Sequence, residues 1–480
     1  MPDRSNADKL RLSSKCVLRQ RKLRNLVVAA IFTSVSLRCS TSCPCAADRP
    51  PNIVMIVADD QGWTDFGFMG HKVVKTPCLD RLAAESALFP NAYVPTSLCR
   101  ASLATLLTGL YAHQHKICCN DPPDGVDRAA MHPFIKEAPA VPRLLGKAGY
   151  RSFQTGKFWE GHFSNAGFTE GMTTKGRHGE EGLVIGRETM QPIYDFIEAA
   201  PEMPFLIWYA PMMPHEPHNP PQRLLDKYAV EGRNIKLAKY YAMCEWFDET
   251  CGALLDYLDR RTLRDNTLVV FVVDNGWIQE TGEVRTTRGN FAPKSKLSPY
   301  DGGLRTPVLL RWPGHTSAGR YDDLVSTTDL APTILTAAGI SPPKVLPGLN
   351  LLGTAAGRGP LARDAVFGEI YVHTAVNLDQ PSRNLTHRWV RAGDWKLILF
   401  EEGTTPAKLY NVTDDPFEEK NLAGANPARV RELSERIEAW WQVRKVTEHD
   451  PRRDGDVERI NSHCHRQRHP ALAARNQIGR

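Results

Sequence analysis

The chain is predicted to fold as an α/β protein, with a large mostly parallel sheet sandwiched by helices and a smaller C-terminal antiparallel sheet. Near-continuous apolar runs alternate with helix-like segments from residue 51 to about residue 356, which is typical of a parallel sheet covered on both faces. Beyond that point, short apolar segments follow one another closely, as in an antiparallel sheet. A length of 480 residues with 42% hydrophobic residues is enough for a large core.

The alternation of strands and helices can be followed along the main domain. The run at 268–273 is the strongest strand, because it is entirely apolar and rich in Val. Further strands are predicted at 52–58, 150–155, 204–210 and 305–312, and helices at 77–85, 140–147, 187–199, 234–260 and 329–338.

The pattern of predicted elements changes from alternating strands and helices to short, closely spaced strands after a Gly-Arg-Gly-Pro stretch that begins at residue 357. We therefore predict a main domain over 48–356, a C-terminal subdomain over 357–446, and a polar, Arg-rich and disordered tail over 447–480. The subdomain's strands are predicted at 366–373, 387–392, 395–400 and 408–411, and its helix at 428–443.

The first 47 residues have the order of a secretory signal peptide. A basic region is followed by an apolar run at 26–37, and small residues precede Asp48. The run of 12 residues is short for crossing a bilayer, so a retained anchor is the weaker interpretation and no stable membrane insertion is expected once the leader is removed. The sequence predicts an exported protein, periplasmic or extracellular.

Charge and cysteine content narrow the possible functions. The chain carries a formal net charge of +6, but the leader holds nine Lys or Arg against two Asp, so the remainder carries 6 − 7 = −1. This balance argues against nucleic acid as a partner. Seven of the 11 cysteines lie beyond the leader, and this odd number leaves at least one thiol unpaired or chemically altered.

Two acidic pairs directly follow predicted strands. Asp59 and Asp60 come after the first strand, and Asp274 and Asn275 come after the strand at 268–273. Ligands of open α/β sheets bind beyond the carboxyl ends of strands, so the two pairs are expected to meet. An all-oxygen set suits Ca²⁺, or less well Mg²⁺, rather than Zn²⁺. The alternative is that the carboxylates only cap the turns that follow.

Cationic side chains and one cysteine complete this pattern. Cys99 is predicted at a helix N-terminus, where unpaired N–H groups favour anionic chemistry. Lys157, His215, His218 and Lys296 follow strands or lie in loops, where they could converge on a tetrahedral dianion and stabilise its transition state. Taken singly, such a cysteine is more often a core residue, and such lysines and histidines are more often solvated.

In this order along the chain, the motifs resemble the type I sulfatases of the alkaline phosphatase superfamily over most of residues 51–443. Asp59-Asp60 and Asp274-Asn275 match the family's two metal-binding pairs. Cys99, with the Leu-Leu-Thr-Gly run that follows it, matches the signature whose cysteine is converted to formylglycine and joins the metal ligands.

The remaining motifs of the family follow in the same order. Lys157 in Thr-Gly-Lys, His215 and Lys296 match catalytic residues that also contact the substrate, and His218 is expected to bind substrate beside them. The stretch that begins Leu-Tyr-Asn at residue 409 looks like the family's C-terminal signature.

The resemblance implies an exported sulfatase that acts on a sulfated polysaccharide or glycosaminoglycan. A formylglycine-generating enzyme is the implied partner in maturation, and the hydrated aldehyde derived from Cys99 attacks sulfur. The calcium and the two lysines hold the sulfate oxygens, while His215 or Lys296 protonates the departing alcohol. The second hydroxyl then loses its proton, sulfate is expelled and the aldehyde is restored.

The sequence departs from the family pattern at two motifs. The usual Cys-x-Pro-x-Arg reads Cys-Arg-Ala-Ser-Leu here, so Leu103 replaces the arginine, and Arg100 is expected to point away from the nucleophile. The usual Gly-Lys-Trp-His reads Gly-Lys-Phe-Trp, so Trp159 replaces a histidine that helps to release sulfate. His162 lies three residues further on and is the candidate to substitute for it.

Two other functions are compatible with these residues. A phosphodiesterase or phosphonate hydrolase of the same superfamily would use the same tetrahedral site on phosphorus esters. A non-catalytic binder of sulfated glycans would explain the two departures. Rates on aryl sulfate and aryl phosphate esters, compared with a Cys99→Ala control, separate all three functions.

Overall fold

The computed structural model describes residues 49–276, 294–401 and 403–443. The predicted signal peptide and the predicted basic tail therefore lie outside the described residues. Within those three ranges, no helix is both long and apolar enough to cross a membrane.

A nine-stranded mixed sheet forms the centre of the protein, with strand order β4-β3-β5-β1-β6-β7-β2-β8 and β9 paired to β2. The central strands β3, β5, β1 and β6 run parallel, whereas β7 is antiparallel to both β6 and β2. The strands are β1 (Asn52–Ala58), β2 (Ala87–Tyr93), β3 (Arg151–Gly156), β4 (Glu170–Gly171), β5 (Phe205–Ala210), β6 (Thr267–Val273), β7 (Arg305–Arg311), β8 (Gly319–Arg320) and β9 (Val325–Ser326).

Both faces of this sheet are covered, which explains why its strands are apolar throughout. In β1 every residue is buried, and alternate side chains enter two different cores. Ile53 and Met55 pack into one core, while Val54 and Ile56 pack into the other. This is the burial expected of a parallel sheet between two helical layers, and it confirms the predicted fold class.

The helices connect the strands and form the two layers. The 26-residue helix α8 is the longest in the described ranges and packs against both α1 and α7. The helices are α1 (Pro77–Ala84), α2 (Cys99–Thr108), α3 (Ala112–His115), α4 (Pro133–Glu137), α5 (Val141–Lys147), α6 (Gln191–Ala199), α7 (Gln222–Tyr228), α8 (Ile235–Arg260), α9 (Asp301–Leu304), α10 (Leu330–Ala337), α11 (Leu352–Ala355) and α12 (Pro427–Trp440).

A second sheet has four antiparallel strands in the order β10-β11-β12-β13. Leu433 and Ile437 of α12 pack against Val390 and Leu397 of this sheet, so the C-terminal helix covers one face. The domain boundaries proposed from the sequence stay a prediction. The strands are β10 (Ala365–Tyr371), β11 (Leu385–Ala392), β12 (Trp395–Phe400) and β13 (Lys408–Asn411).

Candidate active site

Two acidic pairs lie side by side at the carboxyl ends of β1 and β6. The strands pair in parallel with their last residues opposite each other, so Asp59 and Asp274 follow at the same level. The backbone N–H of Asp60 donates to Asp274 Oδ1 at 3.0 Å, and the side-chain amide Nδ2 of Asn275 donates to Asp60 Oδ1 at 2.5 Å. Asp60 has a φ of 57°, a left-handed conformation that strains a residue with a side chain and that this network holds in place.

Cys99 is the first residue of α2, which confirms the prediction of a cysteine at a helix N-terminus. Its side chain is buried, and its Sγ lies 3.8 Å from Asp60 Oδ1. Burial raises the pKa of the thiol to about 12, so an unmodified Cys99 remains protonated and is a poor nucleophile. The six cysteines of the described ranges are all free.

Two buried lysines face the carboxylates. Lys157 Nζ lies 2.5 Å from Asp59 Oδ1 and 3.4 Å from Asp274 Oδ2, and Lys296 Nζ lies 2.7 and 2.6 Å from the two oxygens of Asp60. Burial by itself would lower the pKa of each ammonium, but the neighbouring carboxylates outweigh it and raise both pKa values. Both lysines are therefore charged at neutral pH.

Gly156 explains why Lys157 points into the site. The glycine ends β3 with a φ of 70°, and a Cβ at this position would lie 1.8 Å from the carbonyl oxygen of Ala210. The next N–H, that of Lys157, donates to the same carbonyl at 2.6 Å. Because only glycine allows so close an approach, the backbone turns sharply at the strand end and directs the lysine inward.

His215 reaches the cluster from the loop after β5. That loop is joined to the first acidic pair, because the Asp59 N–H donates to the Met213 carbonyl at 2.9 Å. His215 Nε2 lies 3.3 Å from Asp60 Oδ2, while its Nδ1 donates to the Glu216 carbonyl at 2.7 Å. Potential ligand atoms of Asp59, Asp60, Cys99 and His215 all lie within 4.8 Å of one another.

His218, also predicted to bind substrate, follows His215 in the same loop. Its ring centroid is 5.8 Å from that of Tyr240. Burial, reinforced by His215, lowers the pKa of His218 to about 4, so this imidazole is neutral at neutral pH.

The donor set fits a hard divalent cation. Asp59 Oδ2 and Asn275 Oδ1 are buried without a hydrogen-bond partner in the described ranges, although carboxylate and amide oxygens in proteins are normally satisfied. Burial, together with the nearby Asp59, raises the pKa of Asp274 to about 8. Crowded oxygens of this kind, two of them without a donor, are typical of a site that binds Ca²⁺ or Mg²⁺.

Arg100 points away from the cluster, as the sequence predicts. Its side chain is buried and forms a two-pronged ion pair with Glu160, with Nε–Oε1 and Nη2–Oε2 distances of 2.8 Å. It also donates to the carbonyls of Cys119 and Met131 at 3.3 and 3.0 Å. Arg100 therefore anchors the first turn of α2 to the loops behind it.

The structure does not bring His162 into the cluster. This histidine is exposed, and its ring bonds to Ser164 and packs on Phe163. A different histidine, His178, has its ring centroid 6.2 Å from that of His215. Little in the sequence points to His178, because it lies in an irregular loop, where only the flanking glycines of Gly-Arg-His-Gly indicate a tight turn.

Two family models match the chain. The sulfatase model matches residues 51–340, and the model described as N-sulphoglucosamine sulphohydrolase, C-terminal, matches residues 291–442. The chain is 30% identical over 398 residues to the N-acetylgalactosamine-6-sulfatase of Homo sapiens, an alignment that covers 73% of this chain and 74% of that protein. It is 26% identical over 449 residues to the ulvan-active sulfatase of Formosa agariphila, covering 84% and 83%.

A solved structure shares the fold. Ps i-CgsB, in complex with k-i-k-neocarrahexaose, superposes with a TM-score of 0.68 at 23% sequence identity, over 86% of this chain and 98% of that chain. At that identity the similarity establishes the architecture alone.

Proposed function

Because this chain belongs to the sulfatase family and is thus a sulfuric ester hydrolase, we propose that it is exported and removes sulfate from a sulfated polysaccharide or glycosaminoglycan. The observation that carries the proposal is the position of Cys99 at a helix start, against Asp60, in a cluster of carboxylates that two buried lysines contact. The relatives named N-acetylgalactosamine-6-sulfatase and ulvan-active sulfatase support a sulfated carbohydrate as the substrate.

A Ca²⁺ ion would be held by five side chains: Asp59, Asp60, Asp274, Asn275 and the oxidised side chain of Cys99. Their oxygens supply a hard donor set, and the two partnerless oxygens described above support this assignment. A bound Ca²⁺ would withdraw charge from the sulfate oxygens and so favour attack at sulfur.

The nucleophile in this proposal is formylglycine, made from Cys99 by a formylglycine-generating enzyme. An unmodified thiol at this position stays protonated, which supports a modified side chain as the reacting group. Lys157 and Lys296 are buried ammonium groups that would bind sulfate oxygens, in the manner of an oxyanion site. His215 or Lys296 would give the departing alcohol its proton, since both face the cluster. Lys296 is the better donor, because burial lowers the pKa of His215 to about 3 whereas the pKa of Lys296 is raised.

The test compares the full-length protein purified from its native host with the Cys99→Ala variant produced in the same host. We expect sulfate release from a sulfated oligosaccharide and from an aryl sulfate, abolished in the variant and dependent on Ca²⁺. The mass of the peptide around Cys99 should show conversion of the thiol to an aldehyde. An active Cys99→Ala enzyme would contradict the proposal, whereas preference for an aryl phosphate would indicate a phosphodiesterase. Glycan binding without turnover would indicate a binder.

Export is tested on the same preparation. We expect the mature protein outside the cytoplasm with its N-terminus near Asp48, since the first 47 residues have the order of a signal peptide. Recovery of the intact leader in the cytoplasmic fraction would contradict it.

A further inference from the structure

Beside the acidic site lies a group of side chains that the proposed chemistry does not use. We call it the arginine cluster, and it consists of Asp121, Arg128, Arg177, His178 and His373. Arg177 Nε and Nη2 each lie 2.7 Å from an oxygen of Asp121, and Arg128 Nη2 bonds to the same carboxylate. His373 Nδ1 lies 3.5 Å from Asp121 Oδ2, and Arg177 Nη1 lies 2.7 Å from His178 Nε2. The five residues come from three segments, at 121–128, at 177–178 and at 373, which meet here.

The arginine cluster offers more donors than its one carboxylate accepts. Both oxygens of Asp121 are occupied by guanidinium groups, while Nη1 of Arg128 is buried with no hydrogen-bond partner in the described ranges. The nearby carboxylate of Glu180 accepts from the backbone N–H of Arg177 at 2.8 Å, and that of Glu160 is taken by Arg100. The carboxylates of Asp121 and Glu180 balance the two guanidinium charges, so what the cluster has in excess is N–H donors rather than positive charge.

The guanidinium groups are oriented and partly accessible. Their carbon atoms lie over the buried ring of Trp159, at 4.7 Å for Arg177 and 5.4 Å for Arg128, in cation–π contact. The side chain of Arg177 is 25% exposed and that of Arg128 is 18% exposed. A ligand could thus approach preoriented guanidinium groups from solvent, although Nη1 of Arg128 itself is buried.

Several contacts place the arginine cluster at the rim of the acidic site. The His178 ring lies 6.2 Å from that of His215, and the His178 carbonyl accepts the N–H of the residue after Lys157 at 2.9 Å. The side chain of Asn120, next to Asp121, accepts the N–H of the residue after Cys99 at 3.0 Å. The cluster is therefore linked to three of the proposed catalytic residues through their neighbours.

We propose that the arginine cluster is a substrate subsite, which binds a second anionic substituent on the sugar that carries the scissile sulfate or on the adjoining sugar. Guanidinium N–H donors that Asp121 does not take bind a carboxylate or a sulfate equally well, so a uronate carboxylate and a second sulfate are the two sources of this anion. The inference rests on the proposed function and adds selectivity to it: an acidic neighbour of the scissile ester improves binding.

The test compares Arg177→Gln with the full-length wild type on four substrates: an aryl sulfate, a sulfated hexosamine, the same sugar linked to a uronate, and a disulfated sugar. We expect Arg177→Gln to lower kcat/KM for the uronate or disulfated substrate by about 10- to 100-fold more than for the aryl sulfate. The acidic substrate whose kcat/KM falls most identifies the anion that the subsite binds. An equal loss on all four substrates would overturn the proposal, because it would show a structural role.

Two further variants keep the test decisive. Lys175→Gln removes a positive charge from the same loop, but this lysine is 78% exposed and lies outside the cluster, so it should show no substrate-dependent loss. Arg177→Lys retains the positive charge without the planar guanidinium, so its kcat/KM for the acidic substrates should fall less than that of Arg177→Gln. If Arg177→Gln fails to fold, Arg177→Lys carries the comparison.

Calorimetric titration with the same oligosaccharides separates this inference from the proposed function. If the wild type binds the acidic oligosaccharides, Arg177→Gln weakens that binding and neither protein releases sulfate, the subsite is supported and the proposed sulfate hydrolysis is rejected. Sulfate release with equal affinity for acidic and neutral sugars would reject the subsite alone.

Discussion

At the scale of single residues, the site depends on charges that stabilise one another away from water. Asp60 shows this best, because burial would raise its pKa but Lys296, His215 and Lys157 outweigh burial and lower it. A side chain in such a network contributes both to binding an anion and to keeping its neighbours ionised. The clearest residue-scale test is therefore the removal of one ammonium.

Lys296→Met removes the ammonium that contacts both oxygens of Asp60. We expect kcat for an aryl sulfate to fall by about 10²- to 10³-fold, the usual effect of losing one donor to a developing oxyanion. The matched control is Lys294→Met, because Lys294 Nζ donates to the backbone carbonyls of residues 417 and 418, outside the site. Steady-state kinetics on both variants checks it, and a Lys296→Met enzyme with wild-type kcat would contradict it.

At the level of elements, the starts of α1 and α2 are held by side chains from distant segments rather than by local caps. Helix α2 begins without a side-chain cap from Leu98, and Arg100 ties its first turn to Glu160. Helix α1 likewise lacks a cap from Thr76, and Asp248 of α8 accepts its first N–H groups. Both arrangements join elements that are far apart in sequence.

Glu160→Gln should destabilise the protein, because it leaves the Arg100 guanidinium buried beside a neutral amide. We expect a loss of about 3 kcal/mol or more in the free energy of unfolding, as for other broken buried ion pairs. Glu249→Gln breaks an exposed two-pronged pair with Arg223 and should lose less than about 1 kcal/mol. Denaturant unfolding of both variants tests this, and equal losses would show that burial of the pair is unimportant.

Asp248 predicts a pH dependence of stability. Burial raises its pKa from 3.8 to about 7, although the N–H groups of Cys78 and Leu79 act in the opposite direction. The folded state therefore binds the proton more tightly than the unfolded state, and this group's contribution to stability, complete below 3.8, is lost as the pH rises to about 7.

The matched variant for that effect is Asp248→Asn, which does not titrate. The free energy of unfolding of the wild type, measured relative to the variant, should fall between about pH 4 and pH 7. Urea unfolding at several pH values measures the difference. A difference that stays constant or rises across this interval would contradict the prediction.

At the scale of the whole molecule, a buried ionic network joins the two sheets. Lys396 of β12 lies 2.7 Å from Asp301 Oδ1, in the helix before β7, and 3.0 Å from Glu418 Oε1. The Tyr93 hydroxyl of β2 donates to the same Asp301 at 2.8 Å. Since these groups come from both sheets, we expect the two sheets to unfold together.

Lys396→Met leaves two carboxylates buried without their ammonium. We expect a loss of about 3 to 5 kcal/mol in the free energy of unfolding. Lys408→Met on the neighbouring strand removes a hydrogen bond to the Tyr300 hydroxyl, 2.9 Å long, and should lose only about 1 kcal/mol. Tryptophan fluorescence and far-ultraviolet circular dichroism should follow one transition in the wild type. Two separate transitions would contradict the coupling of the sheets.

Strand β2 shows why part of the fold could not be predicted from the sequence. Its run Ala-Leu-Phe-Pro-Asn-Ala-Tyr contains Pro90 and Asn91, which normally argue against a strand. In the structure they lie at a register shift between Phe89 and Ala92, where the ladder with β7 is interrupted. Whether a proline is tolerated in a strand depends on its partner strand, which local sequence does not specify.

The α/β architecture and the residues of the acidic pairs follow from the amino-acid sequence alone. Apolar periodicity reports which segments are buried on both faces, and a polar residue directly after such a segment must lie at a sheet edge. The family motifs then added Cys99, Lys157, His215 and Lys296 in their order along the chain.

Which loops meet beside that site is apparent from the three-dimensional structure alone. It excluded His162, brought His178 near His215, and placed Arg177 and Arg128 on one carboxylate. These residues come from irregular segments without periodicity, so their neighbours depend on loop paths over the finished sheet. Proximity across long sequence separations follows from packing, which no local pattern encodes.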